Sequence, residues 1–147
     1  MRALPVALLV LALAACSGGD GRLSKAEYTQ QADAICTKYD AELAKLPAPQ
    51  TIDALATMAV QAKTIAAEGA AKLRALEPPK ELEKQADAWL ALNDENVKDI
   101  ESMRAAAAAG NRVKVQEIAR DAQRNEAKAD ELAHKLGLKA CASSTGR

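Results

Sequence analysis

"LSKAEYTQQADAICTKYDAELAKLPAP" (residues 23–49) decides the fold. Tyr28, Ala32, Ile35, Tyr39, Leu43 and Leu46 recur in it at spacings of three and four, which lays one apolar stripe along an α-helix. Ser24 with Glu27 three residues later is a capping box, whose hydroxyl and carboxylate satisfy amide donors that the first turn leaves unpaired. Pro47 and Pro49 then stop the pattern, because proline cannot continue the ladder of backbone bonds. The stretch predicts a helix over about 24–46 with a single face to bury.

Working outward, the same grammar recurs three times. Thr51 caps a second helix whose seam is Ile52, Leu55, Ala59, Ala62, Ala66, Leu73 and Leu76, with Gly69 in the same register. A glycine inside a helix costs about 1 kcal/mol relative to alanine, so both close backbone approach and a tolerated defect fit that position. Pro78 and Pro79 break the chain again, and Pro79 suits the first turn of a third helix, where a missing amide hydrogen does no harm. That helix reaches about Ala109 and turns Leu82, Ala86, Trp89, Ile100 and Met103 inward. Asn111 caps a fourth helix carrying Val115, Ile118, Ala122, Ala129, Leu132 and Leu136, and Gly137 supplies its left-handed stop.

Connections this short make successive helices antiparallel, so the expected class is all-α and the expected architecture an up-down-up-down four-helix bundle. Three helices with the second docked irregularly, or long hairpins that dimerise, would use the same segments. Composition agrees: Phe is absent and two Tyr and one Trp are the whole aromatic stock of 147 residues. Alanine fills the seams instead, which favours helices that approach closely.

Ahead of the bundle, Arg2, the apolar run 4–13 and the small residues Ala14 and Ala15 form a secretory signal, too short to span a bilayer. Leu13, Ala14, Ala15 and Cys16 resemble the lipobox of bacterial lipoproteins. That resemblance implies a diacylglyceryl group on the Cys16 thiol and a mature chain that begins there, held on the outer side of the cell membrane. The alternative is a plain signal cut at an Ala-x-Ala site. The chain therefore divides into a signal peptide (1–15), a lipidated cysteine with a flexible glycine-rich tether (16–22), a helical bundle (23–141) and a disordered tail (142–147).

With Cys16 assigned to lipid, Cys36 and Cys141 remain in a compartment that permits disulfides. Folding the chain at its turns sets Cys36 near the level of Glu126, and residues 137–141 are long enough to return the intervening ~15 Å at ~3.3 Å per residue. A bridge there would close a loop of about a hundred residues and contribute up to ~4.7 kcal/mol. A redox pair is the functional alternative, but no Cys-x-x-Cys exists and no neighbour depresses either thiol pKa. Asn93 and Asn96 fall on the inward register of the third helix and Asn125 interrupts the seam of the fourth. They are expected as a buried polar layer, Asn96 bonded to Asn125, fixing register.

Chemistry is sparse. Lys plus Arg and Asp plus Glu are 20 each and interleaved, so no field draws the chain to nucleic acid. Glu131 and His134 form one Glu-x-x-His, whereas a di-iron bundle needs two, and there is one His in the chain, so no metal is expected. Haem is not expected either: Cys-x-x-Cys-His is lacking, and Met58 and Met103 fall far along the bundle from His134. No catalytic triad, no phosphate loop and no isolated inward pair of carboxylates is read. Tyr39, Trp89 and Met103 are the candidates to line a small apolar pocket.

"LSKAEYTQQADAIC" (23–36), "LEPP" (76–79) and "GLKAC" (137–141), behind the lipobox, resemble a family of small helical lipoproteins of high-GC Gram-positive bacteria. The resemblance implies an exported helical domain with a Cys36–Cys141 bridge, and it supplies no catalytic residues. The expected function is non-enzymatic and without cofactor: a membrane-anchored interaction or envelope-associated module, its partner an unidentified envelope protein. The second reading is a binding protein for a small apolar or amphipathic ligand held between the helices.

Overall fold

The computed structural model describes residues 21–142. Four helices make up the described chain: α1 (Lys25–Leu43), α2 (Ile52–Arg74), α3 (Glu83–Ala108) and α4 (Arg112–Leu136). Each packs on the next in sequence, which gives the antiparallel four-helix bundle. No helix of the described residues is long and apolar enough to cross a membrane.

Most boundaries sit where side-chain chemistry puts them. The Ser24–Glu27 box closes in both directions, with Glu27 N–H donating to Ser24 Oγ at 3.3 Å and Ser24 N–H to Glu27 Oε2 at 2.9 Å. Thr51 and Asn111 accept from Ala54 N–H at 3.1 Å and Lys114 N–H at 3.0 Å. Gly137 takes φ 85° and ends α4 in the left-handed conformation that suits glycine.

Three ends differ from expectation. α1 stops at Leu43, three residues early, because Pro47 disfavours helical geometry in the residue before it and 44–46 tighten into a turn. α2 stops at Arg74 for the same reason, two residues short of Leu76 and ahead of Pro78. Pro79 lies outside α3, its carbonyl accepting Leu82 N–H at 2.9 Å in a separate turn, and α3 starts on Leu82 without a side-chain cap.

Register follows from one contact. A Cβ placed on Gly69 would lie 3.1 Å from Tyr39 Cγ, so α1 crosses α2 here and the glycine marks close approach. Past this point α1 runs only from Tyr39 to Leu43, while α2 extends back from Gly69 to Ile52. At 1.5 Å per residue α1 therefore falls about 20 Å short of the start of α2, and residues 44–51 cover that distance.

The core is concentrated at the opposite end, where Tyr28 of α1, Trp89 and Leu90 of α3 and Leu136 of α4 interlock. Beyond the end of α1 the buried side chains are small, Ala59 and Ala62 on α2 and Ala106 and Ala107 on α3, with Ile118 of α4. Alanine lets the three remaining helices close on one another without filler.

Residues 137–142 fold back over α1. Cys36 and Cys141 are joined, Sγ–Sγ 2.14 Å and Cα–Cα 5.2 Å. The Asp33 carboxylate, one turn before Cys36, accepts the backbone N–H groups of Lys139 at 3.0 Å, Ala140 at 2.9 Å and Cys141 at 3.3 Å. Leu138 is fully buried beneath them and Ala142 is buried too, so the folded domain includes a residue assigned to the tail. At the other terminus Arg22, assigned to the tether, donates to the Pro78 carbonyl at 3.1 Å and pairs with Glu83 at 3.1 Å. The expected signal peptide, Cys16 with the tether up to residue 20, and the tail from residue 143 onward lie outside the described residues.

Candidate functional site

Where α1 runs out, between the packed end and the alanine end, a cleft of about 310 Å³ opens in the bundle. All four helices line it, and the disulfide between Cys36 and Cys141 forms one edge. Tyr39, Trp89 and Met103 come together in its wall with Leu43, Leu73 and Ile100. Its size reaches the lower end of the range for small-molecule sites, roughly 300–1,000 Å³. The cleft exists because Tyr39 and Leu43 of α1 and Trp89, Ile100 and Met103 of α3 meet Ala66, Gly69 and Ala70 of α2 and Ala122 of α4, which are too small to fill the space between them.

Its polar lining is one-sided. Asp40 of α1, Asp99 of α3 and Glu126 of α4 face it along with Asn93 and Asn96, and no Lys, Arg or His among the described residues does. Burial pushes the Asp40 carboxyl above its ordinary pKa. Glu126 is raised by burial first and then by the charges of Asp130 and Asp40. Glu101, on another face of α3, is the contrast: hydrogen bonds from Arg104, at 2.8 Å and 3.0 Å, and from Lys63, at 3.0 Å, hold it down at about 2. Glu101 has cations beside it, whereas Asp40 and Glu126 face the cleft with no basic partner among the described residues, and the charge of Asp40 acts on Glu126.

The expected bond between Asn96 and Asn125 is not made. Asn125 Nδ2 donates to Asp99 Oδ2 at 3.4 Å instead, because Asp99 lies one turn beyond Asn96 and a carboxylate is the stronger acceptor. Asn93 Nδ2 donates to the Trp89 carbonyl of its own helix at 2.9 Å. All three asparagines are half-exposed rather than buried; Asn93 and Asn96 line the cleft and Asn125 does not. Glu131 pairs with Lys135 at 2.6 Å and His134 is exposed, so the Glu-x-x-His pair faces outward.

Sequence reading missed the carboxylate pair of Asp40 and Glu126, which sit on helices that are not consecutive. The signal was present: the fold-back that sets Cys36 level with Glu126 sets Asp40 one turn away on the same helix. Asp33 was missed as well, and its role needs the path of the tail, which helical periodicity does not report.

Comparison with protein-family models, with curated proteins and with solved structures found no match.

Proposed function

We propose that this chain is a binding protein for a small amphipathic molecule, carried on the outer face of the cell membrane by a lipid on Cys16. The cleft carries this reading: it is lined from four helices, apolar for most of its wall, with the carboxylates of Asp40, Asp99 and Glu126 and the amides of Asn93 and Asn96 among the lining. Support for the anchor is the lipobox at 13–16 behind a secretory signal. An interaction module has less to rest on, as the exposed large apolar side chains among the described residues, Val60 and Val113, stand on different helices.

Trp89 is the only tryptophan of the chain and lines the cleft, so its emission reports occupancy. The mature protein, isolated from host membranes and extracted with organic solvent, should yield a bound amphiphile by mass spectrometry. Re-adding that extract should shift Trp89 emission to saturation. Ala70→Leu, which fills the cleft from α2, should abolish the shift while keeping the melting temperature. An extract that leaves Trp89 unmoved, or moves it equally in Ala70→Leu, overturns the proposal. Intact mass of the same material tests the anchor, the expected result being acylation at Cys16.

A further inference from the structure

In a chain with as many basic as acidic residues, a lining drawn from four helices would by chance hold both signs. This one holds Asp40, Asp99 and Glu126 and no basic side chain. Neither Asp40 nor Glu126 has a basic partner among the described residues, and Asp99 receives only the neutral amide of Asn125. Such an arrangement is unfavourable for an empty site, because partly buried like charges repel and lose hydration. The apolar part supplies aromatic surface, and the face of the Tyr39 ring already attracts a cation, the Lys38 ammonium 4.7 Å from its centroid.

We infer that the ligand is a cation with an apolar body, an amphiphilic amine. Its ammonium lies against Asp40, Asp99 and Glu126, and its hydrocarbon lies against Tyr39, Trp89 and Met103. This rests on the binding function proposed above and adds the charge of the ligand. The cavity makes the site; the carboxylates name the sign. Asn93 fits the same chemistry, since its amide nitrogen is engaged by the Trp89 carbonyl and its oxygen remains as an acceptor for an ammonium hydrogen.

The test uses three probes that share one eight-carbon tail: octylammonium, octanol and octanoate, each titrated below micelle formation against Trp89 emission of the mature protein. Octylammonium should bind at least tenfold more tightly than octanol, and octanoate should bind most weakly. In Asp40→Asn/Glu126→Gln, octylammonium should fall to the level of octanol while octanol itself changes less than twofold. That variant relieves repulsion and should fold at least as stably as the parent, as a circular-dichroism melt will verify.

The unmodified protein gives a second readout. Its octylammonium affinity should weaken as pH falls through the raised carboxyl range, the probe staying protonated throughout. The groups raised there are Asp40 on α1 and Glu126 on α4; Asp99 on α3 and Asp130 on α4 are the other acids nearby, Lys38 on α1 is the neighbouring base, and the lining residues of α2 are uncharged. Equal binding of all three probes, or preference for octanoate, overturns the inference and leaves the cleft standing as an apolar site. Failure of all three probes to move Trp89 overturns both.

Discussion

The two halves of α1 meet different neighbourhoods, and the contrast separates what holds this protein together from what it offers a ligand. The first half, with Tyr28 and Ala32, is closed over by Trp89, Leu136 and the returning tail, and it is tied there by Asp33 and the disulfide. The second half, from Tyr39 to Leu43, ends before the bundle does and leaves a cleft with unpaired acids. Apolar burial is concentrated at one end, while the other side of the same helix is left under-packed. Strain tolerated at a site is expected to be offset elsewhere in the fold.

Removing the bridge should break the contrast most severely. Cys36 and Cys141 are 105 residues apart, so Cys141→Ser releases a loop whose closure contributes roughly 4–5 kcal/mol in the chain-entropy account. Unfolding free energies from denaturant melts with and without reductant should differ by that amount in the parent and not at all in the variant. Next comes packing. Leu136 is fully buried, so Leu136→Ala should cost about 3 kcal/mol, whereas Leu43→Ala at the cleft wall should cost less than about 1 kcal/mol. Equal losses at the two positions would mean that the cleft is no less packed than the core.

Asp33→Ala removes the acceptor of three backbone N–H groups and should cost about 2 kcal/mol, since hydrogen bonds to a charged group are worth roughly 1.5–3 kcal/mol. Its signature should be local. Amide exchange should quicken at Lys139, Ala140 and Cys141 before it quickens in α3.

How far these two regions could be read from sequence differs for a physical reason. Helix caps at Ser24, Thr51 and Asn111 and the stop at Gly137 depend on residues within one turn of each other, so periodicity and capping chemistry located them. The Cys36–Cys141 bridge was legible as the pair left once Cys16 was assigned to lipid, with chain reach making it feasible. Tyr39, Trp89 and Met103 were legible as inward residues that share a wall. Illegible were features made by residues distant in sequence: the carboxylate of Asp33 under the tail, Asp40 facing Glu126, and the choice of Asp99 over Asn96 by Asn125. Gly69 lies between these cases, since its register was visible but the Tyr39 ring that explains it belongs to another helix.

A smaller effect sharpens the comparison on the cleft side. Glu126 has a pKa raised above 4.5 in the folded protein, so the folded state binds the proton more tightly than the unfolded chain. Stability is then lost as pH rises from the ordinary carboxyl value through the raised one, and the full penalty is present at neutral pH. Glu126→Gln should stabilise the protein by about half a kcal/mol at pH 7, the partial exposure of the group keeping the figure small. The gain should vanish as pH falls below the ordinary glutamate range. Glu101 is the control: acidification in that range leaves it charged, because its pKa is held at about 2.

The smallest effect is the most informative about the cleft wall. Gly69→Ala gains about 1 kcal/mol of helix propensity but sets a methyl 3.1 Å from Tyr39 Cγ, so the ring must yield by a few tenths of an ångström. At the packed end such a shift would be resisted on every side. Tyr39, however, borders empty volume, so the ring should move into the cleft and the variant should be more stable by less than about 1 kcal/mol. The same movement narrows the cleft, and octylammonium affinity should drop together with the gain in melting temperature. A destabilised Gly69→Ala would instead show that Tyr39 is clamped, and that the wall of the cleft is as rigid as the core that the disulfide secures.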